Sequence, residues 1–442
     1  MKYRFIIPVL IFFCVGSFTS CKEPESTGPE NRTDSLMLKV KETDLTSATL
    51  SLHTAGITYP ASMRLTRNSQ PVQTFSLHQP DTTLIDTALT PSTTYTWQAI
   101  WKKTETTFLK GETVTGRTMD STSHEFTWQI DTLGARGSIL RDVVIVNDTC
   151  VWVVGEINVI DNDTGDRYNA AMWNGKVWKK YRILLPDWAD DFSAMLINCI
   201  WYDGTGLWVF SNVGSYAKFK IDGEVLFTGK TLARKGTPKK IWGYSPDRFY
   251  LVGTGGSLTW YDGKDFHLLE TGTTIDLLDI WGLNENEVWA CGYIHNTGVS
   301  TIVRIKNRIA ETVKNQLPGN LILMSSVFSV RNNEMLLSAE GRIYRFQTEH
   351  PEKLKVELIG KSPLYMKALG YRIRGRENDL WVAGVRGALW HFNGSSWHSN
   401  EQFYGQIREW KSLDYSPRLV VAAGYDYLNG DNGYVMIGKI NR

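Results

Sequence analysis

The sequence predicts an all-β chain in two parts. A small two-sheet β-sandwich comes first, then a seven-bladed β-propeller closed by an outer strand taken from its own N-terminal side. Three observations carry this. Aromatic residues and glycines are abundant, with 17 Trp, 19 Tyr and 38 Gly in 442 residues. Short apolar runs alternate with turn residues, and no stretch sustains the 3.6-residue period of a long amphipathic helix. One apolar strand recurs seven times at the spacing of a four-stranded repeat. The charge balance adds an exclusion: 48 Lys and Arg against 46 Asp and Glu leave a net charge of +2. Nucleic-acid binding, which rests on a clustered basic excess, is not expected.

At the N-terminus, Lys2 and Arg4 precede the apolar run from Phe5 to Val15, the layout of a secretory signal that is too short for an ordinary membrane span. Phe18-Thr19-Ser20-Cys21 follows it and resembles a lipobox, in which small residues precede the acylated cysteine. Phe18 stands where Leu is usual. Lys22-Glu23-Pro24-Glu25 is similar to the acidic export tag of Bacteroidota-type surface lipoproteins. The resemblance implies residues 1–20 as signal peptide, lipidation at Cys21 and anchoring to the outer membrane, with surface exposure left open. Membrane contact would run through that lipid alone. Residues 21–34 read as a flexible tether, since Pro, Ser, Thr, Gly, Glu and Asn dominate with no apolar period. Cys150, Cys199 and Cys291 remain, an odd number at wide spacing, and read as buried thiols in apolar strands. A bridge between Cys150 and Cys199 across neighbouring repeats is the alternative.

Residues 35–118 show alternating strands broken at regular intervals: LMLKVKE, ATLSLHT, SMRLTRN, TYTWQAIW and ETVTGRT. Leu89-Thr90-Pro91-Ser92-Thr93-Thr94-Tyr95 has the pattern L-x-P-x-T-x-Y. This resembles the fibronectin type III family, where the Tyr hydroxyl closes a corner on the nearby backbone. Leu52 stands where that family usually carries a core Trp, so a different core packing is expected. Such modules most often act as spacers.

The recurring strand reads VWVVG (151–155), LWVFS (207–211), FYLVG (249–253), VWACG (288–292), MLLSA (335–339), LWVAG (380–384) and VVAAG (420–424). Successive copies end 56, 42, 39, 47, 45 and 40 residues apart, and the second and fifth are degenerate. A strand precedes each copy, as in IWGYSPDR and IWGLNENE. A third strand and a closing turn follow the clearest ones, as in LTWYDGKDF, LWHFNGSSW and AMWNGKVW. The Asp-Gly or Asn-Gly pair is expected to form a two-residue hairpin, with the next aromatic opening a fourth strand. The last copy runs out at its third strand. Phe126-Thr127-Trp128-Gln129-Ile130 is expected to supply the missing fourth, with Trp128 placed like Trp178, Phe266 and Trp397. That borrowing closes the ring and removes exposed sheet edges. The propeller is thus expected over residues 124–442.

The repeat resembles a bacterial propeller family with blades of the form W-G…D-V-W-A-V-G…D-G…W, best through Trp281-Gly282, Val288-Trp289-Ala290 and Leu380-Trp381-Val382-Ala383-Gly384. Its closing turn is similar to a shortened Asp-box, the hairpin of sialidases and of photosystem II assembly-factor-like propellers. Such resemblance implies fold and leaves activity open. The repeat Trp residues read as wedges between blades and the Gly residues as turn formers. No arginine trio stands out at matching blade positions, and no Tyr/Glu pair, His-x-x-x-His zinc site or nucleophile elbow appears.

The expected binding face is the one that carries the loops between second and third strands. These are long in blade one (156–168), blade four (293–300) and blade seven (425–433), and the connection 181–195 reaches the same face. Blades seven and one become neighbours on closure. Their loops gather acidic and aromatic residues, from which Trp188, Asp190, Asp191, Tyr425, Asp426 and Tyr427 are the candidate ligand-binding set. Asp161, Asp163 and Asp166 alternate around Gly165 as a Ca²⁺ loop does, without the terminal bidentate Glu. Otherwise no cofactor and no catalytic residue is assigned. The reading is a monomeric, lipid-anchored cell-envelope protein whose propeller binds a glycan or an envelope protein. The alternatives are a carbohydrate-active hydrolase or lyase using that face, and a structural scaffold of an envelope assembly.

Overall fold

The computed structural model describes residues 34–159, 167–187, 189–230, 236–313, 321–331, 333–357, 370–403, 408–426 and 432–440. The N-terminal signal and Cys21, the Asp161, Asp163 and Asp166 loop, Trp188 and Tyr427 lie outside the described residues. The chain divides into two compact units. One holds Ala48–Asp86 and Tyr95–Gly116 with the strand before Glu42; the other is essentially Arg117–Arg442.

In the first unit two sheets form. One joins Ser35–Thr43, Ser47–Ala55 and Asp81–Thr87; the other joins Gln70–Leu77, Ala61–Arg67, Thr94–Lys102 and Phe108–Lys110, with Val114–Arg117 also on Thr94–Lys102. The period-2 pattern buries Leu36, Leu38, Leu50, Leu52, Met63 and Leu65 on one face. Trp97 is fully buried in that core and its Nε1 donates to Asp86 Oδ2 at 2.7 Å, which also receives Arg67 Nη1. A buried indole must satisfy its N–H, and Asp86 does so. The core tryptophan therefore sits on the strand after the Pro91 turn, and the small Leu52 packs in the same core.

The second unit contains seven four-stranded antiparallel sheets in sequence order. The first strands of successive sheets pack against one another, and that of the seventh, Arg408–Tyr415, packs against that of the first, Ile139–Asn147. The ring is thereby closed. The seventh sheet takes its outer strand, Phe126–Thr132, from before the first blade. The register pairs Gly438 with Trp128, just as Trp173 pairs with Trp178 and Phe392 with Trp397, so Trp128 occupies the expected place. A Cβ at Gly438 would lie 2.5 Å from the Trp128 ring, which explains the glycine there. Asp131 of this strand accepts Trp178 Nε1 at 2.8 Å and ties the closing strand to blade one.

The repeated second-strand tryptophans Trp152, Trp289 and Trp381 are fully buried and cluster with residues of the following blade. They wedge between blades, as expected. The closing turns differ from the expectation. Trp173 pairs with Trp178, Tyr261 with Phe266 and Phe392 with Trp397, so each loop has four residues. Asn174, Asp262 and Asn393 each accept two backbone N–H groups through Oδ1, two and three residues on. That side-chain cap replaces the tight two-residue turn, and only the following Gly takes a positive φ.

Candidate functional site

Five of the seven first strands begin with a local irregularity. The register against the second strand shifts between Leu140 and Asp142, Ile197 and Cys199, Pro238 and Lys240, Gly370 and Arg372, and Trp410 and Ser412. A β-bulge inserts one residue and re-aims its side chain. The bulge also explains the glycine that ends most repeats. A Cβ at Gly155 would lie 2.2 Å from the Ile139 carbonyl oxygen, and one at Gly424 1.8 Å from that of Glu409, each on the neighbouring first strand. Only a residue without a side chain allows that approach. These strand-end glycines are room-makers for the bulge, whereas sequence reasoning read them as turn formers.

The bulged residues Arg141, Asn198, Lys239 and Lys411 converge with Ser325, Arg372 and the blade-four residues Asp276, Leu278, Tyr293 and His295 around a cavity of about 290 Å³. All seven blades contribute, so the cavity lies at the mouth of the central channel. It opens on the face of the loops between second and third strands, the face expected from sequence. Its charge is the opposite of what the loops suggested: four cations and one carboxylate line it.

Beneath the mouth, two buried aspartates hold the blades together. Asp142 accepts from Lys240 Nζ at 2.6 Å, Ser412 Oγ at 2.5 Å and Ile200 N at 3.0 Å, joining blades one, three, seven and two. Asp279 accepts from Arg372, from Arg374 Nη2 at 2.9 Å and from Ser326 Oγ, joining blades four, six and five. The two guanidiniums hold the Asp279 carboxyl down at about 2 against the burial that opposes ionisation.

The mouth cations are differently placed. Lys411 pairs with Glu409, which also accepts Tyr425 OH at 2.8 Å, and Arg372 pairs with Asp279 at 2.5 Å. Arg141 and Lys239 have no carboxylate within ion-pair distance among the described residues. Burial pushes both below their ordinary pKa values, and for Lys239 the nearby Arg141 charge adds to it. Asp276 is engaged by Gly255 N at 2.9 Å.

Of the candidates named from sequence, Tyr425 comes nearest to the mouth, with Lys411 Nζ 5.4 Å from its ring centroid. Asp426 is buried at the end of the same strand, Leu419–Asp426. Asp190 takes a left-handed φ of 65° in the turn after Asp187 and pairs with Lys230. Asp191 closes that turn, its N–H donating to Asp187 Oδ1 at 3.1 Å. Asp190 and Asp191 do not line the mouth. Cys150, Cys199 and Cys291 are free thiols, so Cys150 and Cys199 do not pair. Among the described residues no group of three His, Cys, Asp or Glu is placed to hold a metal ion.

The mouth cations were missed because each comes from a different blade, far from the others in the chain. The usable signal was positional: Arg141, Lys239 and Lys411 occupy the same place, two residues before the apolar residue opposite the repeat strand's centre. A cation at matching blade positions was therefore present, though only one of the three is an arginine.

A solved structure of YCF48 bound to D1 peptide is similar to this chain, at 14% identity over 73% of this chain and 100% of that one, with a TM-score of 0.54. The RRP9 WD40 repeats are similar at 11% identity over 72% and 100%, with a TM-score of 0.50. The second unit is a β-propeller. At these identities the likeness establishes the fold alone. No protein-family model matches the chain, and no curated protein sequence matches it. Among the described residues, no helix is long and apolar enough to cross a membrane.

Proposed function

We propose that the propeller is a non-catalytic binding module that takes a glycan at the channel mouth. The N-terminal unit would act as a fibronectin type III-like spacer, and the whole would be tethered to the outer membrane through a lipid on Cys21. The observation that carries the reading is the convergence of all seven blades on one small polar cavity. Concave sites of about 300 Å³ and upward suit small ligands and single residues of a polymer better than flat protein surfaces do. Asn198, Ser325 and Tyr293 line the same cavity, and their polar groups suit a hydroxyl-rich ligand. Glycoside hydrolysis needs a pair of carboxylates, and Asp276 is the carboxylate among the described lining residues.

A second reading, an acidic peptide in the same mouth, is favoured by the neighbouring propeller that binds a peptide. The test is a glycan array beside a peptide array, probed with the chain from residue 34 onward. Glycan signals that vanish in Arg141→Ala/Lys239→Ala support the glycan reading. Signals confined to peptides move the function to protein recognition, and turnover of any array sugar would establish the hydrolase or lyase alternative.

A further inference from the structure

Of ten buried side-chain atoms without a hydrogen-bond partner among the described residues, two stand at the mouth: Nε of Arg141 and Nε of Arg372. Arg372 is 7% exposed, and its Nη1 is already spent on the Leu278 carbonyl and on Asp279. A buried donor left unsatisfied costs about 1–3 kcal/mol, more when it is charged, and native proteins keep few of them. Here two occur in one cavity of about 290 Å³, each on a guanidinium. Neither satisfies a helix end or a turn.

The charges around them point the same way. Arg141 and Lys239 stand at equivalent bulges of blades one and three, close enough for the Arg141 charge to disfavour protonation of Lys239. Lys411 adds a second, weaker positive field to the same ammonium, against which Asp276 supplies an opposing negative one. Like charges converging in a partly desolvated site are unfavourable unless something negative joins them. The deeper cations, Lys240 and Arg374, have Asp142 and Asp279 as partners within the fold. The shallower pair has none among the described residues. The chain has thus matched its buried cations and left a surplus where solvent enters.

We infer that the mouth holds an oxyanion-bearing sugar, a pyranose carrying a carboxylate or a sulfate, with Arg141, Arg372 and Lys239 as the donors to its oxyanion. This rests on the glycan reading above and names the class of sugar. Asn198, Ser325 and Tyr293 face the remaining hydroxyls, and Asp276 disfavours a ligand with negative charge on its blade-four side. A carboxylate and a sulfate share the needed chemistry, namely oxygens that accept charge-assisted bonds from guanidinium and ammonium groups.

The test is calorimetric titration of the full chain with four probes at two salt concentrations: an oligogalacturonate, a sulfated oligosaccharide, a neutral oligosaccharide of equal length, and oligoglutamate. Binding of the uronate or the sulfated sugar is expected to exceed that of the neutral one at least tenfold and to weaken with salt. Arg141→Gln and Lys239→Met are each expected to reduce it about tenfold while leaving the melting temperature within about 2 °C. The uronate and sulfate arms identify which group is read. Equal binding of the neutral sugar, or binding untouched by both substitutions, overturns the inference and leaves the glycan reading standing. Tighter binding of oligoglutamate than of any sugar overturns both and supports the peptide reading. Silence from all four probes also overturns both. Should Lys239→Met fail to fold, Lys239→Gln is read in its place.

Discussion

Asp279→Ala should be among the most damaging single substitutions in the propeller. The carboxylate, on blade four, is fully buried and receives Arg372, Arg374 Nη1 and Nη2, the Ser326 hydroxyl and Val327 N from blades five and six. Its removal strands two guanidiniums that are 5–9% exposed along their side chains. Breaking a buried pair by deleting one partner costs about 3–5 kcal/mol, most of it the uncompensated charge that remains. For a unit of more than two hundred residues, about 2 °C is lost per kcal/mol, so melting should fall by about 6–10 °C. Scanning calorimetry and urea unfolding both read this. The pH dependence gives an independent check. Asp279 is held at about 2, below its ordinary value of 3.8, so its contribution is complete above that ordinary value and is lost as pH falls toward about 2. The gap between wild type and variant should therefore stay constant from pH 7 to about 4 and close below it. Pairing the change with Arg374→Met should recover part of the loss, because an apolar side chain replaces a stranded cation. A loss under 1 kcal/mol, or a gap that changes between pH 7 and 5, would refute the claim that this aspartate clamps the three blades.

Four further outcomes are expected. Trp128→Ala removes the aromatic of the closing strand, which packs edge-on against Trp381 and Phe403, and should cost roughly 2–3 kcal/mol in urea unfolding. Gly424→Ala forces a Cβ onto the Glu409 carbonyl, so it should destabilise by about 1–3 kcal/mol and also weaken anion binding by displacing Lys411. His124, half-buried beside His391 and His398, is pushed down to about 4, chiefly by burial. Between its ordinary 6.5 and about 4 the unfolded chain binds a proton that the folded chain does not. Stability should therefore be flat above pH 6.5 and fall as pH drops through that window, with His124→Gln flattening the fall. Cys21→Ala should move the protein from the membrane fraction to the soluble fraction, read by fractionation and radiolabelled-palmitate incorporation.

Much of the architecture could be read before any coordinates. Seven copies of one apolar strand give seven blades because each copy needs a neighbour to cover its Trp, and a third strand without a fourth demands one from elsewhere. Trp128 could be placed for that reason. The four-residue turns could not, because Asp-Gly and Asn-Gly begin both kinds of loop and the side-chain cap depends on Oδ1 reaching two N–H groups. The end of the channel on which the long loops gather was legible, since strand direction fixes which loops share an end. The cations on it were not. Arg141, Lys239, Arg372 and Lys411 lie far apart in the chain, on the first strands of four different blades. A bulge, visible only in the pairing register, turns Arg141, Lys239 and Lys411 to the axis.

The most direct test of where the propeller binds is hydrogen exchange, comparing the free chain with the chain saturated by oligogalacturonate. The account predicts slowed exchange at the bulged starts of the first strands, around residues 139–142, 238–240 and 408–412, with the Asp187–Asp191 turn unchanged. Protection confined to that turn and to the loops of blades seven and one, with the channel mouth unaffected, would contradict it.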